Sequence, residues 1–186
     1  FEKLKGAVTD RTTAIMLEPV QAEGGVNIPS RAYLQNVREF CDDNGLLLIF
    51  DEVQTGFGRL GTLFGYESFG VEPDIMTLAK GLGGGVPIGA FMAKDHACAF
   101  EPGDHGSTFG GNALTCAAAY ASTKYIIDND LPAHALEMGA YLQQGLDSLQ
   151  SRFDIISEVR GIGLLWAVLF ESDVSPGVVA ACNEAG

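Results

Sequence analysis

Strands alternating with helices predict an α/β fold, a mainly parallel central sheet flanked by helices. Three observations carry that expectation. Short apolar runs at Ala14–Leu17, Leu46–Phe50 and Asp74–Ala79 have the length and composition of buried parallel strands. Helical patterns lie between or after them, the clearest over Arg31–Asn44. Each of the three runs leads directly into an ionisable residue, Glu18, Asp51 or Lys80.

Composition narrows the function classes. The chain has 186 residues, 47% apolar and 19% charged, a balance of a folded chain rather than a disordered one. Against 24 Asp and Glu stand 11 Lys and Arg, a net charge of −13 that argues against a nucleic-acid surface. The longest apolar run, Leu46–Phe50, is far short of the roughly 20 residues that cross a bilayer. Cys41, Cys98, Cys116 and Cys182 have no metal-knuckle or Cys-x-x-Cys spacing. Cys41 and Cys116 sit in apolar helical patterns, where burial is expected. Reduced thiols without an export signal point to the cytoplasm. The chain opens on Phe1 in a helix-like stretch and closes on a helix just begun at Val178–Gly186, so an internal segment of a longer polypeptide is expected.

The elements follow in order. Ala14–Leu17 ends at Glu18-Pro19, and a turn-rich stretch, Gln21–Pro29, comes next. Ser30 has the chemistry of an N-cap and Gly45 that of a helix stop, bounding a helix whose apolar face is Leu34, Val37, Phe40 and Cys41. Leu46–Phe50 runs into Asp51-Glu52, and a loop carrying Gly56, Gly58, Gly61 and Gly65 leads to Asp74–Ala79. After Gly81-Leu82-Gly83-Gly84-Gly85, Ile88–Ala93 makes a fourth strand. Asn112 to about Ile127 is Ala-rich and helical, and Leu131-Pro132 opens a second helix reaching about Arg152. Ile155–Phe170 reads as two strands broken by Arg160-Gly161-Ile162-Gly163, with Arg160 tethering backbone at that turn.

In parallel sheets ligands bind beyond the carboxyl ends of the strands, so Glu18, Asp51 and Lys80 are expected to converge on one crevice. Lys80, between Leu78-Ala79 and a run of glycines, has the setting of an amine nucleophile for an aldehyde-bearing cofactor. A solvated lysine is the plainer alternative, and the phosphate-loop spacing is absent. Asp51 follows five apolar residues, where a carboxylate is costly unless it meets a cation such as a protonated pyridine nitrogen. Helix capping or an ion pair with a side chain remains open for it. Val53 has the period to face the same region, and the Gln54 amide could reach a ring hydroxyl. His96, His105 and His134 lack metal-ligand spacing, and no metal is expected. Trp166, Phe170 and Leu164 are expected to fill core.

The segments Asp51-Glu52-Val53-Gln54-Thr55-Gly56-Phe57-Gly58-Arg59, Lys80-Gly81 and Gly106-Ser107-Thr108-Phe109-Gly110-Gly111-Asn112, with Glu18-Pro19-Val20-Gln21-Ala22-Glu23-Gly24-Gly25, resemble class III pyridoxal-phosphate aminotransferases from end to end. The wording of Gly70–Gly85 and Gly103–Thr108 is most similar to the acetylornithine branch. Ala22 stands where Gly is commoner, and Asn112-Ala113-Leu114 replaces Asn-Pro-Leu.

This resemblance implies a fold-type I transferase, with residues 1–130 part of the large cofactor-binding domain and 131–186 the connecting helix and start of a small C-terminal domain. It implies that Lys80 holds pyridoxal 5'-phosphate through its amine and moves the substrate proton. Asp51 would pair with the ring nitrogen, Val53 pack on the ring and Gln54 bond the ring oxygen, with Glu52 also among the cofactor-binding residues. Thr108 would bind the cofactor phosphate of a neighbouring subunit in a homodimer, and Ser107 would lie near substrate. Glu18 would support the Asp51–Gln54 region. Glu23 would pair with a carboxylate-binding arginine outside this chain and release it for 2-oxoglutarate. The implied reaction moves the δ-amino group of N2-acetylornithine to 2-oxoglutarate, in arginine biosynthesis. Ornithine, succinylornithine or 4-aminobutyrate aminotransferases and a semialdehyde aminomutase are the neighbouring readings; a non-catalytic binding domain, or a fragment unable to hold cofactor, is the reading from another class.

Overall fold

The computed structural model describes residues 1–186. A short helix, α1 (Glu2–Ala7), precedes β1 (Ala14–Leu17), α2 (Arg31–Asn44) and β2 (Leu47–Asp51). Then come α3 (Gly65–Phe69), β3 (Ile75–Leu78) and β4 (Ala90–Ala93). The second half holds α4 (Ala113–Asp128), α5 (Leu131–Arg152), β5 (Ile156–Ile162), β6 (Leu165–Phe170) and α6 (Ser175–Ala185). No helix is long and apolar enough to cross a membrane.

Strands β1, β2 and β3 pair in parallel and β4 closes the sheet antiparallel, in the order β1-β2-β3-β4. The register sets Leu17 beside Phe50 and Asp51 beside Thr77. A separate antiparallel hairpin, β5-β6, follows. Helix α2 begins where the Ser30 hydroxyl accepts from the Tyr33 amide and ends at Gly45, whose φ of 64° closes the last turn without a Cβ penalty. It lays Leu34, Val37 and Cys41 on Leu48 and Phe50 of the sheet, and all five are buried. Ile162, Leu165 and Ala167 of the hairpin pack against this same core.

Three details depart from the sequence expectation. The break in Ile155–Phe170 falls at Gly163-Leu164, not at Arg160–Gly163, so Arg160 lies inside β5. Gly163 turns there with φ 57° and lies against the backbone of Arg59 and Leu60, a contact that a Cβ would block. Cys116 is exposed on α4, because that helix buries Ala119 and leaves Leu114 and Tyr120 outside; Cys41 is buried as expected. The glycine-rich loop also contains a helix, α3, which its few residues and four glycines did not suggest.

The amino end of the sheet is held by Asp74, which is 6% exposed. Its Oδ2 accepts from the Leu48 amide (2.7 Å) and Arg38 Nη1 (2.9 Å), and its Oδ1 pairs with His96 Nε2 (3.1 Å). Arg38 also pairs with Asp42 at 2.6 Å. Burial alone would raise the Asp74 carboxyl, but the Leu48 amide, the Arg38 guanidinium and the His96 contact outweigh it and hold it below the ordinary carboxylate range. Its ionised form therefore contributes stability that is present above the unfolded-state value and lost as pH falls through the lower folded one. Urea unfolding of the full-length protein should show Asp74→Asn costing about 3 kcal/mol at neutral pH, since it leaves Arg38 without its buried partner. The variant should also lose less stability than the wild type below about pH 4. A cost under about 1 kcal/mol would show that the contact is no more than a surface ion pair.

Candidate active site

The parallel register brings Asp51 and the end of β3 to one edge of the sheet. Asp51 Oδ1 accepts from the Val53 amide (3.0 Å) and from Thr77 Oγ1 (3.1 Å) on the neighbouring strand. No protein donor reaches its Oδ2, so one carboxylate oxygen is left for a cation. Lys80 follows three residues after Thr77, at the start of a 3-10 turn, Lys80–Gly83. Its φ of 42° lies in the left-handed region, an uncommon conformation for a residue with a Cβ. The Ser122 hydroxyl of α4 donates to Gly81 O at 3.2 Å and braces this turn. A Cβ at Gly81 would come within 3.1 Å of Phe57, so the turn packs closely there. Lys80 is exposed, and its ammonium has no carboxylate partner in the chain.

Asp51 and Glu18 line one cavity of about 510 Å³, together with Gln21, Asn27 and Tyr33. Lys80 lines a second hollow of about 290 Å³ with Val53, Gln54, Phe57, Arg59 and Leu164. The single crevice expected from the sequence is thus two hollows, one lined by Asp51 and the other by Val53 and Gln54. Asp51 is the last residue of the strand, whereas Val53 is already in the turn and faces Lys80 instead.

Glu52, next to Asp51, points the other way. Strand alternation carries Leu48, Phe50 and Glu52 to the core, and all three are fully buried. The Glu52 carboxylate accepts from the Gly65 amide (2.8 Å), the Tyr66 amide (2.7 Å) and the Thr55 hydroxyl. It anchors the first turn of α3. Desolvation raises its carboxyl above the ordinary range despite these three donors.

Glu18 Oε2 accepts from the Ala22 amide at 2.9 Å, and so holds the loop after β1 rather than touching Asp51 or Gln54 directly. In that loop Glu23 Oε1 accepts from Gln54 Nε2 at 3.0 Å. Ser107 and Thr108 lie on an exposed loop away from both hollows. Ser107 Oγ accepts from the Gly110 amide at 2.9 Å, and the adjoining Phe109 is 83% exposed. His105 lies against Phe100, with ring centroids 4.9 Å apart. Sequence reasoning missed Thr77, Ser122 and Arg59. The two-residue period could have placed Thr77 on the Asp51 face, but only the register shows them adjacent.

The donor set suits pyridoxal phosphate: an unpaired amine on a strained turn, a carboxylate with one free oxygen, and an amide at the junction. Asp51 and Glu52, adjacent in sequence, separate cleanly by experiment. In the full-length protein, Asp51→Ala should release the cofactor on gel filtration while the unfolding free energy of the apoprotein stays within about 1 kcal/mol. Glu52→Ala should instead destabilise the apoprotein by about 3 kcal/mol, because three buried donors lose their acceptor. The opposite pattern would exchange their roles.

Residues 1–186 match the family model described as Aminotransferase class-III. An acetylornithine aminotransferase of Methanothermobacter thermautotrophicus is 51% identical over 181 residues, which cover 97% of this chain and 46% of that protein. A solved ornithine delta-aminotransferase of Plasmodium falciparum superposes with a TM-score of 0.87 at 40% identity, covering 93% of this chain and 46% of the other. A solved acetylornithine aminotransferase from Elizabethkingia anophelis gives a TM-score of 0.87 at 38% identity, covering 93% and 45%. The chain spans about half the length of the curated relatives it matches, 46% in the first case. With the match unbroken along its length and the strand-end aspartate and lysine at one sheet edge, the chain belongs to the class III aminotransferases, a family of pyridoxal-phosphate-dependent transaminases.

Proposed function

We propose that the full-length protein moves the δ-amino group of N2-acetylornithine to 2-oxoglutarate, giving N-acetylglutamate semialdehyde and glutamate in arginine biosynthesis. The observation that carries the transaminase chemistry is the unpaired Lys80 amine at the strand edge that also presents the open oxygen of Asp51. The choice of donor is supported by the half-identical acetylornithine aminotransferase above. Ornithine as donor is the second reading, favoured by the equally close fold of an ornithine delta-aminotransferase.

Bound pyridoxal phosphate supplies an electron sink that makes the proton on the amino-bearing carbon removable. Lys80 Nζ is the amine that would hold the cofactor's aldehyde group and would move that proton. Asp51 would hold a ring nitrogen in its protonated form, since an anion with one unshared oxygen favours a cation beside it. Val53 would pack on the ring, and Gln54 would offer its amide to the ring oxygen. Glu18, through the Ala22 amide, holds the loop that carries Glu23. Glu23 pairs with a carboxylate-binding arginine outside this chain and moves aside so that the arginine can take 2-oxoglutarate, while Ser107 borders substrate.

Thr108, on an exposed loop, is offered to the cofactor phosphate of a second subunit, which makes the protein a homodimer with shared active sites. Exposed Phe109, Leu114 and Tyr120 support an interface on this side. In this reading residues 1–130 belong to the cofactor-binding domain and residues 131–186 begin the small domain.

A panel of donors with 2-oxoglutarate, assayed on the full-length protein, tests this. N2-acetylornithine should be turned over in preference to ornithine and 4-aminobutyrate, and Lys80→Ala should lower the rate by about 10,000-fold. A preference for ornithine or 4-aminobutyrate would overturn the donor, and a Lys80→Ala variant within ten-fold of wild type would overturn the catalytic assignment.

A further inference from the structure

We propose that Arg160 is a positioning residue that sets where Glu23 stands against Gln54, and through it the balance between the donor and acceptor half-reactions. The proposal rests on the function proposed above and adds a residue from the β5-β6 hairpin to that site.

Arg160 lies 135 residues from the loop it holds. Its Nε and Nη2 donate to Gly25 O at 3.0 and 2.7 Å, and Nη2 also donates to Asn27 Oδ1 at 2.7 Å. Glu158 on the same strand pairs with Nη1 at 3.3 Å and orients the guanidinium. Asn27 passes the hold on, because its Nδ2 donates to Gln21 Oε1 and to Gly24 O, each at 3.0 Å. Backbone bonds between Gln21 and Asn27 close the loop. Glu23 sits inside this closed loop, and its carboxylate meets Gln54 at 3.0 Å.

The loop does not hold its shape by local preference alone. Val26, β-branched and buried, has a φ of 54°, and Gly25 has a φ of 104°. Such backbone persists where surrounding contacts over-determine it. A Cβ on Gly25 would meet Arg160 Nη2 at 3.3 Å, so the glycine also makes room for the guanidinium. Glu18 fixes only one end, at the Ala22 amide. Arg160 supplies the other end, with a planar fork that a lysine cannot reproduce.

A carboxylate at the site opposes a dianionic keto acid more than a donor with one carboxylate and one ammonium. Letting the Glu23 loop move should therefore alter the two half-reactions unequally. The test uses the full-length protein with Arg160→Lys and, from the other side of the contact, Asn27→Ala. Amide hydrogen exchange at Ala22, Val26 and Asn27 should quicken about ten-fold in both variants, the size expected for losing charge-assisted hydrogen bonds. Single-turnover rates of the donor and acceptor half-reactions should change in ratio by about five-fold or more, and that change should vanish when Glu23→Gln is already present. Unchanged exchange in the loop, equal slowing of both half-reactions, or a ratio change that survives Glu23→Gln would each overturn the proposal. If the wild type does not use N2-acetylornithine, the donor reading fails by itself; the ratio is then taken with the donor it does use, and the exchange measurement is unaffected.

Discussion

The parallel pairing of β2 with β3 is the constraint on which the site depends. It sets Asp51 beside Thr77, so the carboxylate and the turn bearing Lys80 leave the sheet at the same edge. A one-residue slip would exchange the faces of β2, sending Asp51 into the core and Glu52 out of it. An aspartate at each end resists that slip. At the amino end Asp74 bonds the Leu48 amide across the same strand pair, and at the carboxyl end Asp51 bonds the Thr77 hydroxyl. The antiparallel β4 adds to the hold at the amino end, where the Lys94 amide donates to Asp74 O at 2.9 Å.

Three carboxylates around this strand pair show how partners, not residue type, decide a role. Asp74 is surrounded by an amide, a guanidinium and an imidazole, which stabilise its charge and make it structural. Glu52 has three neutral donors and no cation, so burial outweighs them and its proton is held more tightly. Asp51 has two donors on one oxygen and none on the other, and that imbalance suits it to a cationic ligand group. The second half of the chain reaches the same edge through the hairpin, whose Gly163-Leu164 turn is bonded to Arg59: the Leu164 amide donates to Arg59 O at 2.9 Å.

Much of this was legible in the sequence where local chemistry decides. Ser30 and Gly45 bound α2 because a hydroxyl cap and a left-handed stop are readable from residue type. Asp51 and Lys80 were legible as strand-end residues because the apolar runs before them mark the strands. The burial of Glu52 follows the alternation of Leu48, Phe50 and Glu52, which the sequence also displays. What stayed hidden depends on contacts remote in sequence. The β5-β6 break fell later than expected because Gly161 is held in the strand beneath the Trp166 ring, while Gly163 makes the turn. Arg160 read as a tether at a local turn, whereas its partners, Gly25 and Asn27, are more than 130 residues away. No local pattern encodes that meeting.

Lys80 is the amine proposed to hold the cofactor at this strand edge. Borohydride reduction of the cofactor-loaded full-length protein, followed by proteolysis and peptide mass mapping, tests it most directly. The fixed cofactor mass should lie on the peptide containing Lys80 and be absent from those containing Lys94 and Lys124. Recovery of that mass on a different lysine, with Lys80 unmodified, would contradict it.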